Sequence, residues 1–321
     1  MRSISSITNR RAYFSARRDG SAPSTSRSIV SRSPSRDAWV GTPLLLASAI
    51  AYSSAGFYTR LIEVDAWTML FWRGLFAGLF LVGMVAVRER GRIVSAVRAI
   101  GCDGLLIALC SALATVCFLN ALKLSTVADV MVIDATIPFV TAGFAWLILG
   151  EREDQITLLA TLAALAGVAV MAGPAIAGGR LLGDLFTFAM VVLMSMVLVL
   201  IRRNPSVSMI PALGLSAFLC SLIVLPFAHP LSISGQSFGL LALFGTSQFG
   251  LGLLLLALGT PLVSATRGAL IGTLQTPLAA LWVWLAFSEA PAIATLIGGA
   301  IVMAAVVADV ALPRRLIPHL P

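Results

Sequence analysis

Apolar runs repeat along the chain from Ala38 onward, and only short polar breaks separate them. Each run holds about 20 residues, enough to cross a hydrocarbon core of ~30 Å as a helix. The pattern therefore predicts ten membrane-spanning helices. Their spans are 38–59, 67–87, 104–122, 126–149, 156–177, 183–201, 208–228, 238–258, 262–287 and 291–312.

The overall composition agrees with this pattern. Hydrophobic residues make up 59% and charged residues 11% of the 321 residues, and the mean hydropathy is +0.97. A soluble globular domain holds about 25% charged residues, so this chain has too little polar surface to cover a water-soluble body. We therefore predict an all-α integral membrane protein that contacts membrane lipids.

Several other classes of function are excluded by residue counts. The two histidines, His229 and His319, lie far apart, and the four cysteines show no CxxC spacing, so we expect no metal site and no cofactor. No cluster of His, Cys and acidic residues is visible, which argues against an enzyme with catalytic residues. Most of the net charge of +8 lies outside the apolar runs, as membrane topology requires, and we expect no nucleic acid partner.

The distribution of Lys and Arg predicts the orientation. With the N-terminus inside, 17 of the 22 basic residues lie on the inner side and 3 on the outer side. This bias places the N-terminus in the cytoplasm, and an even number of helices places the C-terminus there too. Residues 1–37, with eight arginines and thirteen serines or threonines, are predicted to be a disordered cytoplasmic tail, with a transit peptide as the alternative. Residues 313–321 form a C-terminal cytoplasmic tail.

The two halves of the chain repeat one arrangement. Pro138 lies within a predicted helix that ends at Glu151, and Pro277 lies within another that ends at Glu289, with separations of 13 and 12 residues. Five helices per half is an odd number, so the second half must enter the membrane upside down. The sequence thus predicts inverted repeats at 38–177 and 183–312, with helices interrupted at the two prolines, a pattern typical of secondary transporters.

Four features have the positions expected in one transporter family: Gly183-Asp184-Leu185, Arg202-Arg203, Asn120-Ala121-Leu122 and the paired Pro…Glu helices. Over about 38–312 they resemble the drug/metabolite transporter superfamily, specifically its EamA-type branch. The resemblance implies ten helices in two inverted five-helix repeats, and export or exchange of small metabolites across a bacterial cytoplasmic membrane. Asp129 and Asp134 depart from the family pattern by making the fourth helix acidic.

Asp134 is the deepest acid of the apolar runs. It lies ~12 Å from the outer end of its helix, one turn before Pro138. Charged groups at a helix centre cost about 2.5–3.5 kcal/mol, so each is a functional candidate. We predict that Asp134 binds a cation or takes up a coupling proton; a structural acid paired within the bundle is the alternative.

Arg73 lies ~9 Å into the second helix from the same side. Three roles are open for Arg73. It can form an ion pair with an acid of the fourth helix, bind an anionic solute through its guanidinium group, or stabilise helix packing.

Uncharged polar and aromatic residues complete the candidate solute site, because such sites need a few polar groups on an apolar wall. They are Gln248, Gln275, Asn120, Tyr52 and Trp146. Each can alternatively form an interhelical hydrogen bond or pack in the core. Glu151 and Glu289 end their helices and are candidate gates that pair with the opposite half.

These features predict a secondary transporter that moves a small organic metabolite, such as an amino acid, an amine or a drug-like solute, by alternating access. Export is the expected direction, and proton coupling is left open. The alternative is a flippase for lipid-linked substrates, or a small multidrug-type efflux pump, with the same fold. Either a monomer or a homodimer is compatible with the sequence.

Overall fold

The computed structural model describes residues 34–125, 127–172, 181–288 and 291–312. Ten helical spans in these ranges are long and apolar enough to cross a membrane, which confirms the predicted all-α membrane fold. They are α1 (Trp39–Leu61), α2 (Ala66–Arg88), α3 (Gly101–Leu124), α4 (Asp129–Leu149), α5 (Gln155–Ala172), α6 (Leu181–Arg203), α7 (Ile210–Phe227), α8 (Gly235–Leu262), α9 (Ala265–Phe287) and α10 (Ile293–Ala311).

The boundaries differ little from those predicted. Helical structure begins at Pro34, so the last four residues of the predicted tail 1–37 belong to the helix that continues into α1. Proline suits the first turn of a helix because its φ angle is already close to the helical value. A short helix, Ile93–Ala99, connects α2 to α3. The rest of that tail and the C-terminal tail 313–321 lie outside the described residues.

The ten spans pack in pairs that relate the two halves of the chain. The helix α1 contacts α8 and α9, just as α6 contacts α3 and α4. The pairs α2 with α7, α4 with α9 and α5 with α10 join helices at equivalent positions of the two halves, and the contact of α2 with α8 corresponds to that of α7 with α3. This set of contacts is unchanged when the first five helices are exchanged with the second five. It is consistent with the predicted five-helix repeats.

Two glycines allow close contacts at equivalent places. A Cβ atom on Gly41 in α1 would overlap Leu262 and Val263 at the connection between α8 and α9. A Cβ atom on Gly183 in α6 would overlap Leu124 and Ser125 at the connection between α3 and α4. Glycine is required at both positions because a helix backbone there touches the hairpin of the other half.

Two of the spans are interrupted near the predicted prolines. The span α4 falls in three consecutive segments, Val127–Asp134, Ile137–Phe144 and a π-helical turn, Ala145–Leu149. The helix α9 consists of Ala265–Gly272 and Gln275–Phe287. Pro138 and Pro277 lie in the first turn after each interruption, where the missing N–H group does no harm.

Further irregularities occur where no proline is present. A turn at Ser54 divides α1 into Pro34–Ser53 and Ala55–Leu61, and the hydroxyls of Ser53 and Ser54 donate hydrogen bonds to preceding backbone carbonyls. Such bonds compete with the helix and bend it. In α8, a π-helical stretch at Phe244–Gly250 lies between Gly235–Leu243 and Leu251–Gly259, and a final 3₁₀ turn covers Thr260–Leu262.

Candidate functional site

A cavity of about 250 Å³ lies at the centre of the helix bundle. Seven helices, α1–α4, α6, α8 and α9, contribute to its wall, so both halves of the chain enclose it. Most of the lining is apolar, with Phe118, Met190, Met194 and Leu253 among the larger side chains. This is the usual character of a site for a small organic molecule.

Several polar side chains in the wall are occupied by hydrogen bonds within the protein. The hydroxyl of Ser48 donates to the Gly252 carbonyl at 2.8 Å, and that of Thr115 donates to the Ser111 carbonyl at 3.1 Å. Ser111 donates to Ser216 at 3.1 Å, and Thr273 donates to the Leu270 carbonyl at 2.7 Å. Each of these hydroxyls already donates its proton within the protein, so none of them offers a free hydrogen-bond donor to a solute in the cavity.

Four other polar side chains reach the cavity with groups that the protein leaves available: Tyr52, Arg73, Asp134 and Gln275. Within the described residues, no hydrogen bond or ion pair is formed by the side chain of Asp134 or Gln275, or by the Tyr52 hydroxyl. The ion pair considered between Arg73 and an acid of α4 is not formed with Asp134. All four residues were predicted as site candidates, and the fold brings them to one cavity from four different helices.

Arg73 is fixed from the side opposite its terminal nitrogens. Its Nε donates a hydrogen bond to Gln248 Oε1 at 3.1 Å, and its Cζ lies 4.0 Å from the ring centroid of Phe249 and 5.5 Å from that of Phe244. Gln248 is 2% exposed and does not line the cavity; it supports Arg73 from behind. The π-helical stretch of α8 supplies all three contacts.

The remaining predicted candidates lie elsewhere. The Asn120 side chain donates to the Val116 carbonyl of its own helix at 2.8 Å. Trp146 is 58% exposed on the outer surface of the bundle, and neither residue lines the cavity. Glu289 lies outside the described residues.

Polar contacts join the two halves of the chain at one end of the bundle, which we call the Glu151 end. Arg202 Nε lies 3.1 Å from Glu151 Oε1, and the same guanidinium group donates to the Pro261 carbonyl. Close by, Ser264 donates to Glu153 at 3.1 Å. These bonds join the connection between α4 and α5 to α6 and to the connection between α8 and α9. Glu151 thus pairs with the opposite half of the chain.

A buried ion pair lies nearby between α9 and α10. Arg267 Nε is 2.9 Å from Asp309 Oδ2, and the two side chains are 8% and 1% exposed. Thr157 of α5 donates to Asp309 Oδ1 at 2.7 Å. Asp309 lies close to the end of α10, where an acid is equally compatible with the membrane surface, so this pair was not predicted from the sequence. No group of three or more His, Cys, Asp or Glu residues that could hold a metal is present in the described part of the chain.

Comparisons with known proteins agree with this geometry. A crystal structure with 20% sequence identity superposes with a TM-score of 0.75 over 86% of this chain and 99% of that chain, which shows a shared fold. No curated protein matches the chain. The model of the EamA-like transporter family matches residues 39–173, the segment that contains α1–α5. This match confirms the resemblance found in the sequence: residues 39–173 are similar to the EamA-like transporter family, which is part of the drug/metabolite transporter superfamily.

Proposed function

We propose that this protein is a secondary transporter that carries a small organic solute through the central cavity by alternating access. The single observation that carries this proposal is the cavity itself. It is enclosed by both halves of the chain, and its wall contains four side chains with available polar groups. A site between two repeats, beside interrupted helices, is the usual arrangement in secondary transporters.

The interrupted helices supply the expected moving parts. The segment Ala265–Gly272 of α9 packs against the segment Ile137–Phe144 of α4, so the two interruptions lie in helices that touch each other. Each interruption allows the segments on its two sides to change their angle without breaking a continuous hydrogen-bonded helix. The contacts at the Glu151 end hold one side of the pathway closed. We place this end on the cytoplasmic side of a bacterial inner membrane, in keeping with the distribution of basic residues.

Asp134 is the residue that we assign to ion coupling. It faces the cavity directly before the interruption of α4, and no described residue pairs with it. A buried carboxyl group without a partner is most stable when it is neutral or when a cation neutralises it. Binding and release of a proton or a cationic solute at Asp134 would therefore favour different conformations. Export is the direction that we propose.

The experiment uses purified protein in liposomes that contain a pH-sensitive dye, with a panel of small organic metabolites. Leucine at Gly272, which lines the cavity and has open space beside its Cα, should lower solute flux by more than about tenfold because it removes space from the binding site. Gly143→Leu is the matched control: Gly143 also has open space and is exposed on α4. Equal flux in wild type and Gly272→Leu, or an equal loss in both variants, would contradict a pathway through this cavity.

A further inference from the structure

The guanidinium group of Arg73 forms no ion pair with any described residue. In the part of the chain that the structure describes, no carboxylate lies within ion-pair distance of its guanidinium group. Arg267 provides the internal comparison: it is buried and held by Asp309 at 2.9 Å, whereas Arg73 is half-buried beside the cavity. A cation inside a membrane-spanning bundle is costly when no counter-charge faces it, so a bound anion beside the cavity would stabilise Arg73.

The contacts of Arg73 leave one particular edge of the group available. Nε donates its hydrogen bond to Gln248, and one face of the guanidinium group lies against Phe249, with Cζ 4.0 Å from the ring centroid. Neither terminal nitrogen, Nη1 or Nη2, donates to a described residue. These two nitrogens present parallel N–H groups, which match the two oxygens of a carboxylate.

Gln248 fixes the orientation of this edge. Its Oε1 accepts from Arg73 Nε, and its Nε2 donates to the Tyr52 carbonyl of α1 at 3.1 Å. Because hydrogen bonds in a π-helical stretch run from i to i+5, residues four and five positions after Phe244 lie on the same face as it does. Phe244, Gln248 and Phe249 can then all contact one guanidinium group.

We propose that Arg73 is a carboxylate subsite of the cavity and that Gln248 is its positioning residue. The transported solute is then a small organic acid whose carboxylate binds the Nη edge of Arg73. Its remaining atoms contact the apolar wall formed by residues such as Phe118 and Met194. The choice of a transported occupant rests on the proposed function, whereas binding of a carboxylate at Arg73 does not.

The test measures binding to the purified full-length protein in detergent, by the rise in melting temperature. The probes are three pairs of equal shape, each an acid with its amide: 4-methylpentanoate, benzoate and phenylacetate with 4-methylpentanamide, benzamide and phenylacetamide. At least one acid should bind about tenfold more tightly than its amide, the ratio expected for a charge-assisted hydrogen bond. Equal binding of acid and amide in every pair, or no binding of any acid, would overturn the proposal.

Two substitutions distinguish a role of Gln248 in orienting Arg73 from a role in stabilising the fold alone. Gln248→Glu gives Arg73 an internal carboxylate, so the protein should melt no lower than wild type and the acid should no longer bind in preference to the amide. Gln248→Met keeps the size and loses the hydrogen bonds, so the acid should bind several-fold more weakly. Undiminished preference for the acid in Gln248→Glu would overturn the role of Arg73.

The outcomes also distinguish this proposal from the proposed function. Binding of the acids with no solute flux in liposomes would retain the subsite and reject transport. Flux of solutes without a carboxylate, together with no preference for the acids, would retain transport and reject the subsite.

Discussion

The helices α4 and α9 are interrupted in the same way, but the side chains at the two interruptions differ. In each, the helix stops two residues before a new segment whose first turn contains a proline. At the interruption of α4, Asp134 faces the cavity without a partner among the described residues. At that of α9, the hydroxyl of Thr273 is bonded to the Leu270 carbonyl. The charged residue of α9, Arg267, is neutralised by Asp309.

This difference suggests how a repeated fold acquires a single site. Each half of the chain contains one interrupted helix, and in the proposed function the side chains decide which interruption binds a solute. A charge that is paired inside the protein holds helices together, whereas an unpaired one beside a cavity is available for binding. Arg267 of α9 therefore anchors helices through its ion pair, and the proposed function assigns ion or solute binding to Asp134 of α4.

The largest effect is expected at the anchored charge. Asp309→Ala leaves Arg267 buried without its counter-charge and should lower the free energy of unfolding by about 3–5 kcal/mol. Thermal unfolding in detergent measures the change. The double variant Arg267→Met/Asp309→Leu removes both charges and should recover most of the loss. A double variant as unstable as Asp309→Ala would show that the ion pair is not the anchor.

A smaller effect is expected outside the two interrupted helices. Asp65 accepts hydrogen bonds from the backbone N–H groups of Trp67 and Thr68 at 3.0 Å and so caps the start of α2, which carries Arg73. Asp65→Ala should cost about 1 kcal/mol of stability, as at other helix N-caps. Solute binding in the cavity should stay unchanged, because Asp65 lies outside it.

The pH dependence of this cap has a definite sign. Slight burial raises the pKa of Asp65, but the hydrogen bonds from Thr68 and Trp67 outweigh it and leave the pKa below its usual value. The stabilisation is therefore present above the pKa of unfolded aspartate, near 4, and is lost as pH falls through the folded value. Melting temperatures of wild type and Asp65→Ala should converge in acid. A difference that grows as pH falls would contradict the cap.

The smallest effect is expected at the Glu151 end. Glu151→Gln removes an ion pair worth up to ~1 kcal/mol, so the cavity should open to that side up to about fivefold more often. The rate at which a maleimide labels Gly272→Cys, in a chain whose four native cysteines are alanine, reports this opening. Arg203→Gln is the control, since Arg203 is exposed and forms no ion pair with a described residue. Equal labelling rates in the two variants would reject a gating role for Glu151.

Much of this arrangement follows from the sequence because lipid constrains it strongly. Ten apolar runs predict ten helices, and polar groups within them must turn toward a cavity or a partner, as Tyr52, Arg73, Asp134 and Gln275 do. Trp146 is different: an indole ring is stable against lipid as well as in a core, so its position on the outer surface could not be predicted.

Local backbone geometry was less predictable. Prolines mark the interruptions of α4 and α9, but no proline marks the turn at Ser54 or the π-helical stretch Phe244–Gly250. That stretch places Gln248 behind Arg73 and not in the cavity wall. Asp309 lies close to the end of α10, where an acid is equally compatible with the membrane surface, and only packing against Arg267 reveals its role.

The most direct test compares the two interruptions in one assay. Solute flux into liposomes is measured for wild type, Asp134→Asn and Thr273→Val, each of which preserves the shape of the original side chain. Asp134→Asn should reduce flux more than about tenfold and remove its pH dependence, because it abolishes the only acid among the cavity-lining residues. Thr273→Val should retain flux within about twofold, because its hydroxyl is already bonded to the backbone. Wild-type flux with unchanged pH dependence in Asp134→Asn, or an equal loss in both variants, would contradict the division of roles between α4 and α9.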